Sequence, residues 1–329
     1  MARITVGWQR ASAGFPCYAR GNLVVRPATR RGRTATRNWE ERMATHHVEN
    51  PFEYVVERFA WAARDLGRAM TFNPARHADQ AVPEVRKIGF ADLKAALREG
   101  AGDVGAFRDD VLFIALIYPL AGALLAAAAF NYNLLMMLFP LASGFAIIAP
   151  VAATGLYEMS RRREQGLPVN WLDAFRAFAS PAIGSIVLMG LILLALFGLW
   201  LGAAYQIGVA TLGAETPPTL RMFLQQVFFS EVSPTLILGG IAVGFVFAAV
   251  AFAISVISIP LLLDRDVGVR IAIMTSLKAI ARNPGTMALW AAMIAGLLLL
   301  GSLPALVGLI VVVPLLGHAS WRLYRKVVV

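Results

Sequence analysis

The sequence predicts an all-α fold, a polytopic six-span transmembrane helix bundle with amphipathic surface helices, arranged as three repeats of one surface helix plus two spans. Three observations predict it. The 329 residues are 58% hydrophobic and only 15% charged, whereas soluble domains are about a quarter charged; mean hydropathy is +0.64. Five apolar blocks each reach the ~20 residues that cross a hydrocarbon core. The last block holds a turn signal and is followed by basic residues, so it counts as two spans.

The charge is uneven. Residues 1–42 carry nine arginines against two glutamates, while the other 287 residues carry 21 basic against 18 acidic side chains. The body therefore has no nucleic-acid signature. Segment 1–42 shows no sustained periodicity and no signal-peptide run. We read it as a leader outside the fold, with Met43 as the natural start; an Arg-rich transit peptide is the alternative. The single cysteine, Cys17, lies there, so the body holds no disulfide, thiolate nucleophile or cysteine metal site.

Segment 43–85 reads as an amphipathic helix and a linker. Asn50-Pro51-Phe52-Glu53 is a helix start, with N-cap, Pro at N1 and an acidic N3. Phe52, Val55, Val56, Phe59, Ala63 and Leu66 then recur at helical spacing. From 86 to 329 the chain is the membrane domain. Its apolar blocks are Val111–Phe130, Leu134–Tyr157, Pro181–Ala204, Thr235–Leu263 and Thr286–Gly317.

As one straight helix the last block would extend about 48 Å at 1.5 Å per residue, far beyond a bilayer core. Gly301-Ser302-Leu303-Pro304 is a turn signal near its middle. Charge decides between the readings. Arg161, Arg162 and Arg163 follow the second block, so the positive-inside rule makes that loop cytoplasmic. Arg265, Arg270, Lys278 and Arg282 then return inside. A single final crossing would strand Arg322, Arg325 and Lys326 outside, whereas a hairpin returns them. Six spans follow, with both termini cytoplasmic.

The repeat is visible in "ADLKAALREG" (91–100), "LDAFRAFASP" (172–181) and "TSLKAIARNP" (275–284), each preceding a pair of spans. The second span of each pair carries a proline near its inner end: Pro150, Pro260 and Pro314. In the external loop, Leu220, Phe223, Leu224, Val227 and Phe228 mark one more amphipathic helix. Gly240 and Gly244 form a GxxxG pair for close helix packing; we favour packing within the bundle over a dimer seam.

Between their ends the spans hold no Asp, Glu, Lys, Arg or His. Ion-coupled pumps place ionisable groups at membrane depth, so proton or sodium coupling is not expected. The remaining polar groups collect at the inner face, where Tyr157, Glu158, Asp264, Asp266, His318 and Trp321 lie within a few residues of span ends. They form either a binding or acid–base site or a set of interfacial anchors and caps, the reading we favour. No metal-ligand spacing, phosphate-binding glycine loop or nucleophile–His–Asp pattern is present, and no cofactor is expected.

Several stretches together carry a resemblance: "VRKIGFADLKAALREG" (85–100), "IYPLAG" (117–122), "FPLASGFAIIAPVAATGLYEMSRRREQG" (139–166), "PLLLDRDVG" (260–268) and "LGHASWRLYRK" (316–326). They resemble the bacterial domain-of-unknown-function family 2189 of integral membrane proteins. The resemblance implies a bacterial inner-membrane location and brings no activity with it. A cytochrome oxidase subunit I reading, attached to some relatives, requires a set of histidines for haem and copper; only His318 adjoins a span. Three functional readings follow: a non-catalytic membrane or accessory protein acting through lipids or a membrane-protein partner, a transporter or binding protein for an apolar or amphiphilic molecule, and a membrane enzyme working at the inner face.

Overall fold

The computed structural model describes residues 81–106, 135–180, 182–213, 219–304 and 306–329, with residues 123 and 127. The leader 1–42, the helix expected from Asn50 and the span expected at Val111–Phe130 lie outside the described residues. What is described is helical, apart from turns and one antiparallel bridge between Val85 and Val328.

The order is α1 (Phe90–Ala106), α2 (Leu138–Ala152), α3 (Thr154–Glu164), a 3-10 helix (Trp171–Ala179), α4 (Ile183–Leu212), α5 (Leu220–Phe229), α6 (Ser233–Ser255), α7 (Ser258–Asp264), α8 (Val269–Arg282), α9 (Pro284–Ser302) and α10 (Leu309–Val327). Four helical stretches among the described residues are long and apolar enough to cross a membrane: Leu138–Glu164, Ile183–Leu212, Ser233–Asp264 and Pro284–Ser302. They match four of the expected blocks. The amphipathic pattern in 220–228 is helix α5, capped by the Thr219 hydroxyl accepting from Met222 N–H at 3.2 Å. Segment 172–181 differs in kind, because Trp171–Ala179 is 3-10 rather than α. Asp173 closes its start by accepting from Asn170 N–H at 2.9 Å.

Helices α2, α4 and α6 pack around Trp200. Its indole N–H donates to the Pro140 carbonyl at 2.9 Å, and its ring lies against Phe247. A Cβ on Gly144 would collide with Phe197 and Trp200, and one on Gly244 would stand 3.0 Å from Trp200. Glycine is required at Gly144 because an aromatic side chain already fills the space.

Two of the three prolines expected near span ends accompany helix breaks. Pro150 lies inside α2, three residues before the Ala153 junction with α3. Pro260 has no N–H for the Val256 carbonyl, and helix α6 ends at Ser255. Ser276 of α8 repairs this break. Its hydroxyl donates to the Ala253 carbonyl at 2.7 Å and accepts from Ile257 N–H at 3.4 Å, the two groups that would bond each other in an unbroken helix.

The stretch from Thr286 to His318 is two helices. Helix α9 ends at Ser302, the chain turns through a left-handed Leu306 (φ 69°), and α10 starts at Leu309. Gly301 and Gly308 make the reversal tight, since a Cβ on Gly308 would meet the Gly301 carbonyl oxygen at 2.7 Å. Both far ends come back to one place. At the start of α9, Asn283 accepts from Ile88 N–H at 2.8 Å and donates to the Arg86 carbonyl at 2.9 Å. At the end of α10, the Val327 carbonyl accepts from Arg86 N–H at 2.8 Å. Helix α10 is apolar from Leu309 to Gly317 and polar beyond. Its polar half packs on α1 so closely that a Cβ on Gly100 would stand 2.6 Å from the Ala319 nitrogen.

Candidate functional site

The span ends α3 and α7, the polar half of α10, and α1 meet in a layer of ionic groups. Asp103 is its deepest acid, 1% exposed. It accepts from Arg322 Nε and Nη2, both at 2.9 Å, from Arg163 Nη1 at 2.6 Å and from Ser160 Oγ at 2.9 Å. A fork-shaped guanidinium matches a carboxylate with two parallel bonds. Helices α1, α3 and α10 are thereby joined at one carboxylate.

Ser160 also lies 2.7 Å from His318 Nδ1. Its one proton goes to Asp103, because a carboxylate only accepts. His318 therefore donates from Nδ1 to the hydroxyl, and Nε2 carries the ring's lone pair. Burial, chiefly, drives the His318 pKa down to about 4, with the Arg322 and Arg163 charges assisting and Asp103 opposing. A hydrolytic triad places histidine between serine and acid, ready to take the serine proton. Here serine stands in the middle, fully buried, and its proton points at the acid. The arrangement ties helices together and has no activated nucleophile.

A second group lies nearer the surface. Asp264, the last residue of α7, accepts from the Tyr324 hydroxyl at 2.6 Å and Arg325 Nη1 at 3.3 Å. Burial and the Asp264 charge push the Tyr324 phenol up. Glu164 accepts from Trp321 Nε1 at 3.1 Å and Arg325 Nε at 3.0 Å. Arg161 binds Glu158 at 2.8 Å and donates to the Leu263 carbonyl at 3.3 Å, linking α3 to α7. Lys326 pairs with Glu99 of α1 at 2.8 Å. Between these pairs opens a cleft of about 250 Å³, lined by Arg161, Glu164, Gln165, Asp264, Trp321 and Arg325.

Off to one side, burial pushes the Asp173 carboxyl up, but the Asn170 N–H and the Arg176 and Arg162 guanidiniums outweigh it and hold it below its ordinary value.

Of the residues singled out in the sequence, Asp264 and Trp321 line the cleft. Glu158 is buried with Arg161, and His318 lies in the Asp103 cluster. Tyr157 is buried in the core and Asp266 is exposed. Gly244 faces Trp200, while a Cβ on Gly240 would meet nothing within 4 Å among the described residues. Sequence reasoning missed Asp103, Ser160, Glu164 and Tyr324 as members of the layer. Among the described residues no group of three His, Cys, Asp or Glu side chains is placed to hold a metal ion.

Residues 138–264 match the model of a protein family, DUF2189, described as a predicted integral membrane protein. The match begins with α2 and ends at Asp264, so it contains three of the four candidate spans and the Arg161–Glu164 part of the polar layer. Asp103, His318 and Arg322 lie outside it. No curated protein and no solved structure matches the chain.

Proposed function

We propose that this is a bacterial inner-membrane protein with six spans and both termini in the cytoplasm, acting without catalysis through lipids or a membrane-protein partner. One observation carries the non-catalytic reading: the ionisable groups at the span ends satisfy one another. Asp103 already accepts four bonds, Glu164 and Asp264 share Arg325, and Ser160 is turned away from the role of nucleophile.

The orientation rests on the same layer. Arg161, Arg163, Arg322, Arg325 and Lys326 converge at one end of the helices, and basic residues beside spans favour the cytoplasmic side. Counting as crossings α10, paired to α9, and the apolar block expected from the sequence at 111–130 gives six spans, which return the C-terminus to that side.

The test is gentle extraction of the full chain followed by mass spectrometry of what remains bound, together with reporter fusions at the C-terminus. A stoichiometric protein partner or a defined lipid set supports the reading. A C-terminal reporter active only outside the cytoplasm would remove the six-span topology. The open cleft favours a second reading, a binding protein for an amphiphile whose polar head enters between Asp264 and Arg325. A retained small molecule lost on Asp264→Asn would move the function there. A membrane enzyme is the third reading, and it ends if alanine at Glu158, Asp264 and His318 leaves the cellular phenotype intact.

A further inference from the structure

We propose that the outward side of α8, with the adjoining segment 83–88, is a binding surface for anionic phospholipid headgroups. The inference deepens the function proposed above and rests on its lipid-facing reading. Helix α8 holds Arg270, Lys278 and Arg282 and no acidic residue. Its inward side buries Ile271, Ala272, Thr275, Ser276 and Ala279. The other side exposes the three basic residues together with Met274, Leu277 and Ala281. Met274 and Leu277 are 43% and 46% exposed, too apolar a pair for a face meant only for water.

Position supplies the occupant. Residues 265–268 alone connect α8 to the end of α7, and Asn283 alone separates it from α9. Both neighbours belong to stretches apolar enough to cross a membrane. A helix tethered this shortly between two spans lies at headgroup depth, where long basic side chains meet phosphates and short apolar ones enter the acyl boundary. Segment 83–88 adds exposed Arg86 and Lys87, held against α8 by Lys278 donating to the Pro83 carbonyl at 3.2 Å and by Asn283. Glu84 and Asp266 share this surface with five basic groups, and Asp92 sits beside it, accepting from Gly89 N–H at 2.8 Å, so the patch keeps a positive balance. The nearest carboxylates of the polar layer are already engaged, Asp264 with Arg325 and Arg265, Glu99 with Lys326.

The experiment uses the purified full chain in nanodiscs made from an equal mixture of phosphatidylglycerol and phosphatidylcholine. Native mass spectrometry after release reads the lipids retained. Phosphatidylglycerol should be enriched, the enrichment should shrink as sodium chloride is raised, and R270Q/K278Q/R282Q should lower the preference about fivefold per residue. R270K/R282K should keep it, because charge rather than guanidinium shape is what counts. Equal retention of the two lipids by the natural chain would overturn the proposal. So would a preference that ignores salt, which holds even if the triple variant fails to fold. Protection of the patch by polyglutamate, with no lipid preference, would assign the surface to an acidic protein instead. Discovery of turnover or transport would end the non-catalytic reading and leave the lipid preference standing; a flat lipid profile would do the reverse.

Discussion

The spans and the polar layer are built on opposite principles. In the stretches Ile183–Leu212 and Pro284–Ser302 only 22% and 17% of the apolar window is buried inside the protein. Leu191, Leu199 and Leu299 point outward. Their cohesion comes from a few close contacts, such as Trp200 against glycines, and from the lipid around them. In the polar layer His318, Ser160 and Asp103 are sealed, and each is bonded across helices far apart in sequence. Hydrophobicity places the spans in the bilayer but leaves their mutual arrangement loosely specified, because lipid solvates an outward leucine as well as a neighbouring helix does. Ionic groups with fixed geometry specify the arrangement at the end where the polar layer lies.

If so, the largest effects of mutation belong to that end. Asp103→Ala leaves Arg322 and Arg163 without their shared acceptor. Removing one partner of a buried ion pair costs about 3–5 kcal/mol, so thermal unfolding in detergent should show a drop of that size. Asp103→Leu combined with Arg322→Met should recover part of it, since the more deeply buried Arg322 charge is then not stranded, while Arg163, 39% exposed, keeps its bond to the Gly102 carbonyl. A loss below about 1 kcal/mol for Asp103→Ala would mean that the layer behaves as a surface network and that the contrast with the spans is false.

The sequence made the four long apolar helices legible and the layer only half so. Length and hydropathy announce a span because each one satisfies its own backbone bonds and needs no partner to be recognised. The reversal at Leu303 to Gly308 was readable from a glycine, a proline and the basic residues beyond. Asp264, Trp321 and His318 were readable as polar groups at span ends. Asp103 was not, since it sits in an alanine- and glycine-rich helix and its partners are 57 and 219 residues away. Periodicity is a local signal, and a carboxylate shared by three helices leaves no local trace. The 3-10 form of Trp171–Ala179 was likewise invisible to an i, i+3, i+4 pattern.

The same layer should respond to acid. His318 is held neutral, with its pKa near 4 against 6.5 for a free side chain. The unfolded chain binds the proton more readily, so stability is complete above pH 6.5 and falls as pH drops from there towards 4. The loss is on the order of 3 kcal/mol at about 1.4 kcal/mol per unit. Asp173, whose carboxyl is held down, loses its share in the same direction at lower pH. His318→Asn, whose amide can stand where Nδ1 donates to Ser160, should flatten the curve between pH 6.5 and 4. An unchanged slope would place the titrating group elsewhere.

Within the spans the effects should be smaller and tied to single contacts. Ser276→Ala removes the hydroxyl that bridges Ala253 and Ile257 and leaves the buried Ile257 N–H and the half-buried Ala253 carbonyl unmatched, a cost of about 1–3 kcal/mol. Ser276→Thr retains the hydroxyl and should lose less. Equal losses for the two variants would show that packing at residue 276, rather than the bridged helix break, is what matters.

The sharpest comparison inside the spans sets Gly240 against Gly244, one turn apart on α6. A methyl at Gly244 meets the Trp200 ring at 3.0 Å, tighter than ordinary contact, so Gly244→Ala must move a ring that is itself bonded to Pro140. Overpacking of this kind costs about 1–3 kcal/mol. At Gly240 the same methyl meets no atom of the described residues within 4 Å, and alanine's better helix propensity, worth up to about 1 kcal/mol, acts unopposed by them. The two variants should therefore shift the unfolding temperature in opposite directions, Gly244→Ala down and Gly240→Ala level or up. If Gly240→Ala also lowers it, and does so only at protein concentrations where the chain self-associates, then a second α6 lies on that open face. The pair would then join two chains instead of packing one.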